Sequence, residues 1–194
     1  MIFYDITREV RTAPLYPGTP EPQLLFTERI GQGSEYNLSR LFLDSHTGTH
    51  CDAPLHFLAD GRDISQLSPE YFVGDCSVLT VSPASLIRPE DLAGRISPGI
   101  RRLLLHTGGN SYLTEGAASY LVSLGLLAVG TDAMSVAPPE NEAPVHQILL
   151  AAPIVVLEQL ELAAVPDGVY FLSALPLKVA GAEAAPCRAV LIRF

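Results

Sequence analysis

Proline and glycine, 16 and 15 of them in 194 residues, cut this chain into short pieces and so narrow what it can fold into. Neither residue suits the interior of a helix or of a central strand, so the apolar runs between them are brief. Nine runs rich in β-branched or apolar residues and bounded by turn formers read as strands. They span 2–6, 24–30, 38–44, 76–82, 102–107, 126–132, 153–158, 169–174 and 188–194. Helical spacing is confined to three places. In "LTEGAASYLVSLG", Ala117, Tyr120, Leu121 and Leu124 fall on one stripe, Thr114 is placed to cap the N-terminus and Gly125 to stop the helix, which predicts a helix over 115–124. Shorter helical pieces are expected at 88–94, where acidic residues suit a first turn, and at 144–152. Strands outnumber helices and the middle alternates strand, helix, strand. The expectation is therefore a mixed α/β domain, β-rich with a few helices, formed as one unit by residues 1–194.

The bulk properties exclude several functions. Net charge is −9 and 48% of the residues are hydrophobic, so the chain has no long-range attraction for nucleic acid or an anionic membrane and points instead to a small-molecule partner. No run approaches the ~18 apolar residues of a membrane span, and "MIFYDITREV" has no basic region followed by an apolar one, so a cytoplasmic location is expected. Cys51, Cys76 and Cys187, odd in number and widely spaced, read as free thiols.

Chemistry concentrates in "DSHTGTHCDAPLHF" at 44–57, which holds three of the five histidines. His46, His50, Asp52 and His56 share one parity, so an extended backbone points them to one face. A straight strand would still set His46 and His50 ~13 Å apart at ~3.3 Å per residue, too far for one ion with ~2 Å bonds. Gly48 between them can adopt a positive φ, and Pro54 stops the segment from continuing as a central strand, so a tight loop is expected. Imidazole and carboxylate are zinc ligands, and they suit manganese or iron where carboxylate dominates. The alternative is a loop in which His46 and His50 are hydrogen-bonded and Asp52 forms an Asx turn. Cys51, of opposite parity, is expected to be a packed thiol.

The stretch "HTGTHCDAPLHF" resembles the H-x-G-T-H-x-D-x-P-x-H-F signature of the cyclase-like metal-dependent hydrolases, the family of bacterial kynurenine formamidase and isatin hydrolase. "DITREVRTAPLYPGTP", "GTDAMSV" and the C-terminal segment with "LPLK" and "APCRAV" are similar to other parts of that family, so the resemblance spans nearly the whole chain. It implies the swivelling β/β/α fold and homo-oligomers, dimers or tetramers. It also implies that His46, His50 and Asp52 hold one metal ion and that Asp52 bridges to a second, completed by His146 and Glu158. His56 would then stand beside the metals as the acid/base group. Taken alone, His146 reads as a partly buried helix residue and Glu158 as a charge at a strand end.

The implied activity is hydrolysis of a small amide, an aryl formamide first, as in conversion of N-formylkynurenine to kynurenine and formate. The cofactor would be one or two divalent ions, zinc first and manganese second. A cyclic amide such as isatin, or another small amide or ester, is the alternative substrate. A metal- or small-molecule-binding protein without catalysis is the alternative from another class. The resemblance implies an enclosing Trp at the position of Tyr16 in "LYPGTP", and this sequence has no tryptophan. Ser45, Thr47 and Thr49 read as turn hydroxyls, His106 as a satisfied strand-end histidine, Thr131 and Asp132 as turn or capping residues, and Lys178 as an ion-pair partner.

Overall fold

In the computed structural model, which describes residues 1–81, 86–152 and 154–194, strand-forming runs build one large mixed sheet. The first half of the chain contributes β1 (Ile2–Asp5), β2 (Gln23–Glu28), β3 (Leu38–Phe42), β4 (His50–Asp52), β5 (Val73–Thr80) and β6 (Leu86–Ile87). Next come α1 (Pro89–Leu92), β7 (Arg102–His106), β8 (Tyr112–Leu113), α2 (Glu115–Ser123), β9 (Ala128–Thr131) and α3 (Glu142–Ala151). The chain ends with β10 (Val155–Glu158), β11 (Gly168–Ser173), β12 (Ala184–Pro186) and β13 (Val190–Arg193). All nine predicted strands are present. Ser82 and Pro153, at the ends of two of them, lie outside the described residues.

The nine-stranded sheet runs β1-β13-β11-β5-β7-β9-β10-β4-β12, while β2 and β3 form a separate antiparallel ribbon. Its centre, β5-β7-β9-β10, is parallel, which requires crossovers, and α2 and α3 lie in two of them. Central strands bury both faces, so successive residues belong to opposite cores. Leu103, Leu105, Val129 and Val156 pack with Leu121 and Leu149 of the helices. Leu104, Ala128, Val155 and Leu157 pack on the other side with Phe72, Tyr170 and Leu191. This second core is tight at Gly130, where an added Cβ would come within 2.6 Å of Leu104 and 2.8 Å of Leu160.

Thr114 caps α2, its hydroxyl accepting from the Ala117 N–H at 3.1 Å, and Gly125 ends the helix with φ +69°. Leu124 departs from the predicted stripe: it is 41% exposed because the chain is already leaving the helix there, and Ala118 is buried instead. Helix α3 begins at Glu142, two residues earlier than expected. Pro144 falls in the first turn, where a backbone N–H has no acceptor within the helix and its loss costs nothing.

The expected loop over the histidine stretch is only half a loop. Residues 46–49 turn, with Gly48 at φ +67°, but His50–Asp52 is a strand bonded on both sides, to β10 and to β12. Pro54 does not prevent this, because the paired segment has ended and the proline opens a short 3-10 turn, Pro54–His56.

Candidate metal centre

The site forms where β4 runs antiparallel to β10. Their register sets His50 opposite Glu158, and Val156 opposite Asp52. His50 and Asp52 share a face by strand alternation, while Cys51 turns into the opposite core, fully buried, with its thiol 3.4 Å from the Ala174 carbonyl. Glu158 is the last residue of a parallel strand, the end at which α/β sheets bind ligands. Helix α3, which leads into β10, carries His146 to the same place, and the Gly48 turn folds His46 over from the other side.

The resulting contacts centre on Asp52. One of its oxygens lies 3.1 Å from His46 Nδ1 and 3.4 Å from His50 Nε2, and the other 3.8 Å from His146 Nε2. Glu158 lies 3.2 Å from His146 Nε2 and 3.5 Å from His50 Nε2. Two groups able to hold a cation follow, His46/His50/Asp52 and Asp52/His146/Glu158, with Asp52 common to both. All five predicted ligands are thus brought together.

Two histidines are preset by their other nitrogen. His50 Nδ1 is 2.8 Å from the Gly48 carbonyl and His146 Nδ1 is 2.9 Å from the Glu142 carbonyl. A carbonyl can only accept, so Nδ1 carries the proton in each and Nε2 is left facing the carboxylates. Glu158 is held in turn by the Val136 N–H at 2.8 Å. Burial disfavours the charged form of both imidazoles, yet the Asp52 and Glu158 carboxylates outweigh it and push His50 and His146 up to about 9. Burial likewise tends to raise Asp52 and Glu158, but the facing imidazoles hold both below their ordinary range.

A divalent cation fits this donor set. Asp52 has no exposed surface, and neither of its oxygens, nor His50 Nε2, has a hydrogen-bond partner among the described residues. Buried carboxylate oxygens without hydrogen bonds are costly, and a cation held by either donor group would offset that cost.

His56, on the 3-10 turn after β4, sits against the cluster without joining either group, its ring centroid 4.2 Å from that of His46 and 5.9 Å from that of His146. Burial, the largest influence, holds its pKa below the ordinary histidine value, so it is neutral at pH 7. A cavity of about 230 Å³ opens over these groups, with Tyr16, Phe57 and Met134 on its apolar side. Tyr16 also donates its hydroxyl to Glu142 at 3.2 Å.

Other candidates lie elsewhere. His106 ends β7 with Nε2 3.7 Å from Asp132 and belongs to neither donor group. Asp132 accepts from the Thr107 N–H and hydroxyl and from the Gly108 N–H, and Thr131 accepts from the Ala133 N–H, so both brace turns. Lys178 is exposed and forms no ion pair among the described residues, contrary to expectation. Thr49 links the Arg8 N–H to the Gln159 carbonyl. Two residues escape sequence reasoning. Glu183 accepts from the Ser45 hydroxyl at 2.5 Å and lies 3.3 Å from His46 Nε2, so it steadies the one half-exposed histidine of the cluster. Gln159 lines the cavity beside Glu158.

The chain is similar to known proteins over nearly its whole length. The Cyclase family model matches residues 4–138. The chain is 38% identical over 206 aligned positions to kynurenine formamidase of Salinibacter ruber, covering 98% of this chain and 97% of that protein. It is 34% identical to kynurenine formamidase of Delftia acidovorans, covering 97% and 96%. A solved structure described as a potential metal-dependent hydrolase with cyclase activity matches with TM-score 0.84 at 31% identity, over 98% of this chain and 96% of that one. Isatin hydrolase A from Labrenzia aggregata, bound to benzyl benzoate, shares the fold with TM-score 0.85 at 22% identity, over 98% and 93%.

Proposed function

Because the chain belongs to the Cyclase family, we propose that residues 1–194 form a single hydrolase domain that cleaves a small amide at a C–N bond other than a peptide bond, an aryl formamide before other substrates. The observation that carries this reading is Asp52: a buried carboxylate with no hydrogen bond at either oxygen among the described residues, faced by imidazoles and shared by two sets of candidate ligating groups beside a neutral histidine. His46, His50 and Asp52 would hold one ion, and Asp52, His146 and Glu158 the other. The three imidazoles favour zinc, with manganese second because two carboxylates contribute.

A divalent ion bound there supplies an acidified water and polarisation of the substrate carbonyl. His56, neutral and beside the ligands, accepts a proton from the attacking water at its free ring nitrogen and returns it to the departing amide nitrogen. The products are a carboxylic acid and an amine. Tyr16, Phe57 and Met134 offer an aryl group an apolar wall and keep bulk water from the reacting carbonyl. The apolar wall supports an aromatic substrate more strongly than the absence of tryptophan argues against one, since tyrosine also presents a ring face.

The test is a hydrolysis screen of zinc- and manganese-loaded protein against N-formylkynurenine, isatin and simple amides. Turnover of the aryl formamide is expected, and turnover of isatin alone would replace it with the cyclic-amide reading. No turnover of any of them, with metal bound, would favour a protein that binds metal without catalysis.

The chain would act as a homodimer or homotetramer. The β2–β3 ribbon supports this: among the described residues it pairs with no other strand, and it exposes Leu24, Leu25, Phe26, Leu38, Leu41 and Phe42 at 36–52%. A two-stranded ribbon is marginal in water alone, and a second copy of the chain would cover it.

A further inference from the structure

Gln159 directly follows Glu158, and its backbone and side chain are both unusual. It is the one non-glycine residue with positive φ, +56°, among those described. Side chains are disfavoured in this region, and such conformations persist where the surroundings fix them. Here the Gln159 N–H donates to the Ala133 carbonyl at 3.0 Å and its carbonyl accepts from the Thr49 hydroxyl at 2.6 Å. The side chain is 2% exposed, yet Oε1 has no hydrogen-bond partner among the described residues. A buried amide oxygen without a partner is an uncommon expense in a folded protein. The residue also lines the cavity that holds His50, His56 and Glu158. Together with Met134 it separates that cavity from a neighbouring one of about 420 Å³.

Glycine would adopt the same turn freely, so what the chain gains from glutamine at 159 must lie in the side chain. Resting on the amide-hydrolase reading above, we propose that Gln159 contacts the substrate, its side-chain carbonyl accepting a hydrogen bond from the N–H of the amide to be cleaved. Its terminal torsion is soft, so the amide group can turn toward a bound molecule without moving the backbone. The contact does not compete with His56. The N–H bond lies in the amide plane, whereas the nitrogen lone pair that His56 protonates projects out of it once the carbonyl carbon becomes tetrahedral. Such an acceptor selects amides over esters of the same shape, because an ester oxygen has no hydrogen to donate.

The test compares formanilide with phenyl formate, which share aryl and acyl groups and differ in N–H against O. Gln159→Gly and the bulk-preserving Gln159→Met are assayed with metal-loaded protein, alongside metal content and thermal melting. Both variants are expected to raise KM for formanilide roughly tenfold, the size of one lost hydrogen bond, and to leave phenyl formate within about twofold. Metal content should stay at the wild-type level, and cooperative thermal melting should show that both variants remain folded. Equal losses on both substrates, or none on formanilide, would overturn the assignment while leaving the hydrolase reading standing. Failure of the wild type to cleave either substrate would overturn both.

Discussion

At the scale of single residues, the proposed site separates groups that would hold a cation from the group that would move a proton. His50 sits inside the donor cluster with its Nε2 unpartnered, so His50→Ala is expected to lose metal and activity together, measured by metal content after dialysis and by turnover. His56 belongs to neither donor group, so His56→Ala should retain metal and lose turnover by roughly 10²–10⁴-fold, the usual worth of general acid/base catalysis. Release of metal from His56→Ala would show that its role has been misassigned. His46, His50 and Asp52 were legible because they lie within seven residues around a glycine, a spacing with metal-site chemistry behind it. His146 and Glu158 were not legible from their own surroundings. Each looks ordinary until a helix and a strand are packed side by side, and only the family resemblance named them. Glu183 and Gln159 left no signal, since one stands in an alanine- and glycine-rich turn and the other acts through an unpartnered oxygen that no spacing reveals.

At the scale of elements, alternation along the strands decides which side chains meet the metal ligands and which meet the cores. Cys51 and Cys76 are buried among apolar neighbours, and burial pushes Cys76 up to about 12 and Cys51 well above its ordinary value. In the unfolded chain such a thiol ionises near its ordinary value, 9.0. Below that pH both states keep the proton and these groups make no pH-dependent contribution. Above it the unfolded chain releases protons that the folded chain retains, so stability falls as pH rises, by at most about 1.4 kcal/mol per unit for each thiol, until the folded form also ionises. Urea unfolding between pH 8 and 11 should show this decline, and Cys76→Ala should make it shallower. An unchanged slope would mean that the thiol is less enclosed than its packing indicates. Nine of the thirteen strands among the described residues were predictable because they are apolar runs with clear punctuation, whereas β6, β8 and β12 are two or three residues long and carry no alternation to read. Strand β4 was not predictable either, because its three residues include two polar candidate ligands and it owes its extended form to pairing with β10 and β12, which come more than a hundred residues later.

At the scale of the molecule, the large sheet is closed into two cores, the β2–β3 ribbon stands apart, and no described helix is long and apolar enough to cross a membrane. If a second copy covers the ribbon, charge on its apolar face should separate the subunits. Leu24 and Leu41 are cross-strand partners, so Leu24→Asp with Leu41→Asp is expected to lower the mass measured by light scattering to that of one chain while the circular dichroism spectrum is kept. A wild-type protein that is already monomeric would refute the assembly. The pairing of His50 with Glu158 has a consequence of another kind. Hydrogen bonds between neighbouring strands, and not the length of chain between them, hold these two ligands together. Loops may therefore lengthen, shorten or change composition in the course of evolution while the distance across the ladder stays fixed. The turn carrying Tyr16 and the link between β7 and β8 are open to such editing, since neither takes part in that pairing. New substrates can in this way be acquired by rewriting the rim of the site, with the inorganic chemistry inherited intact.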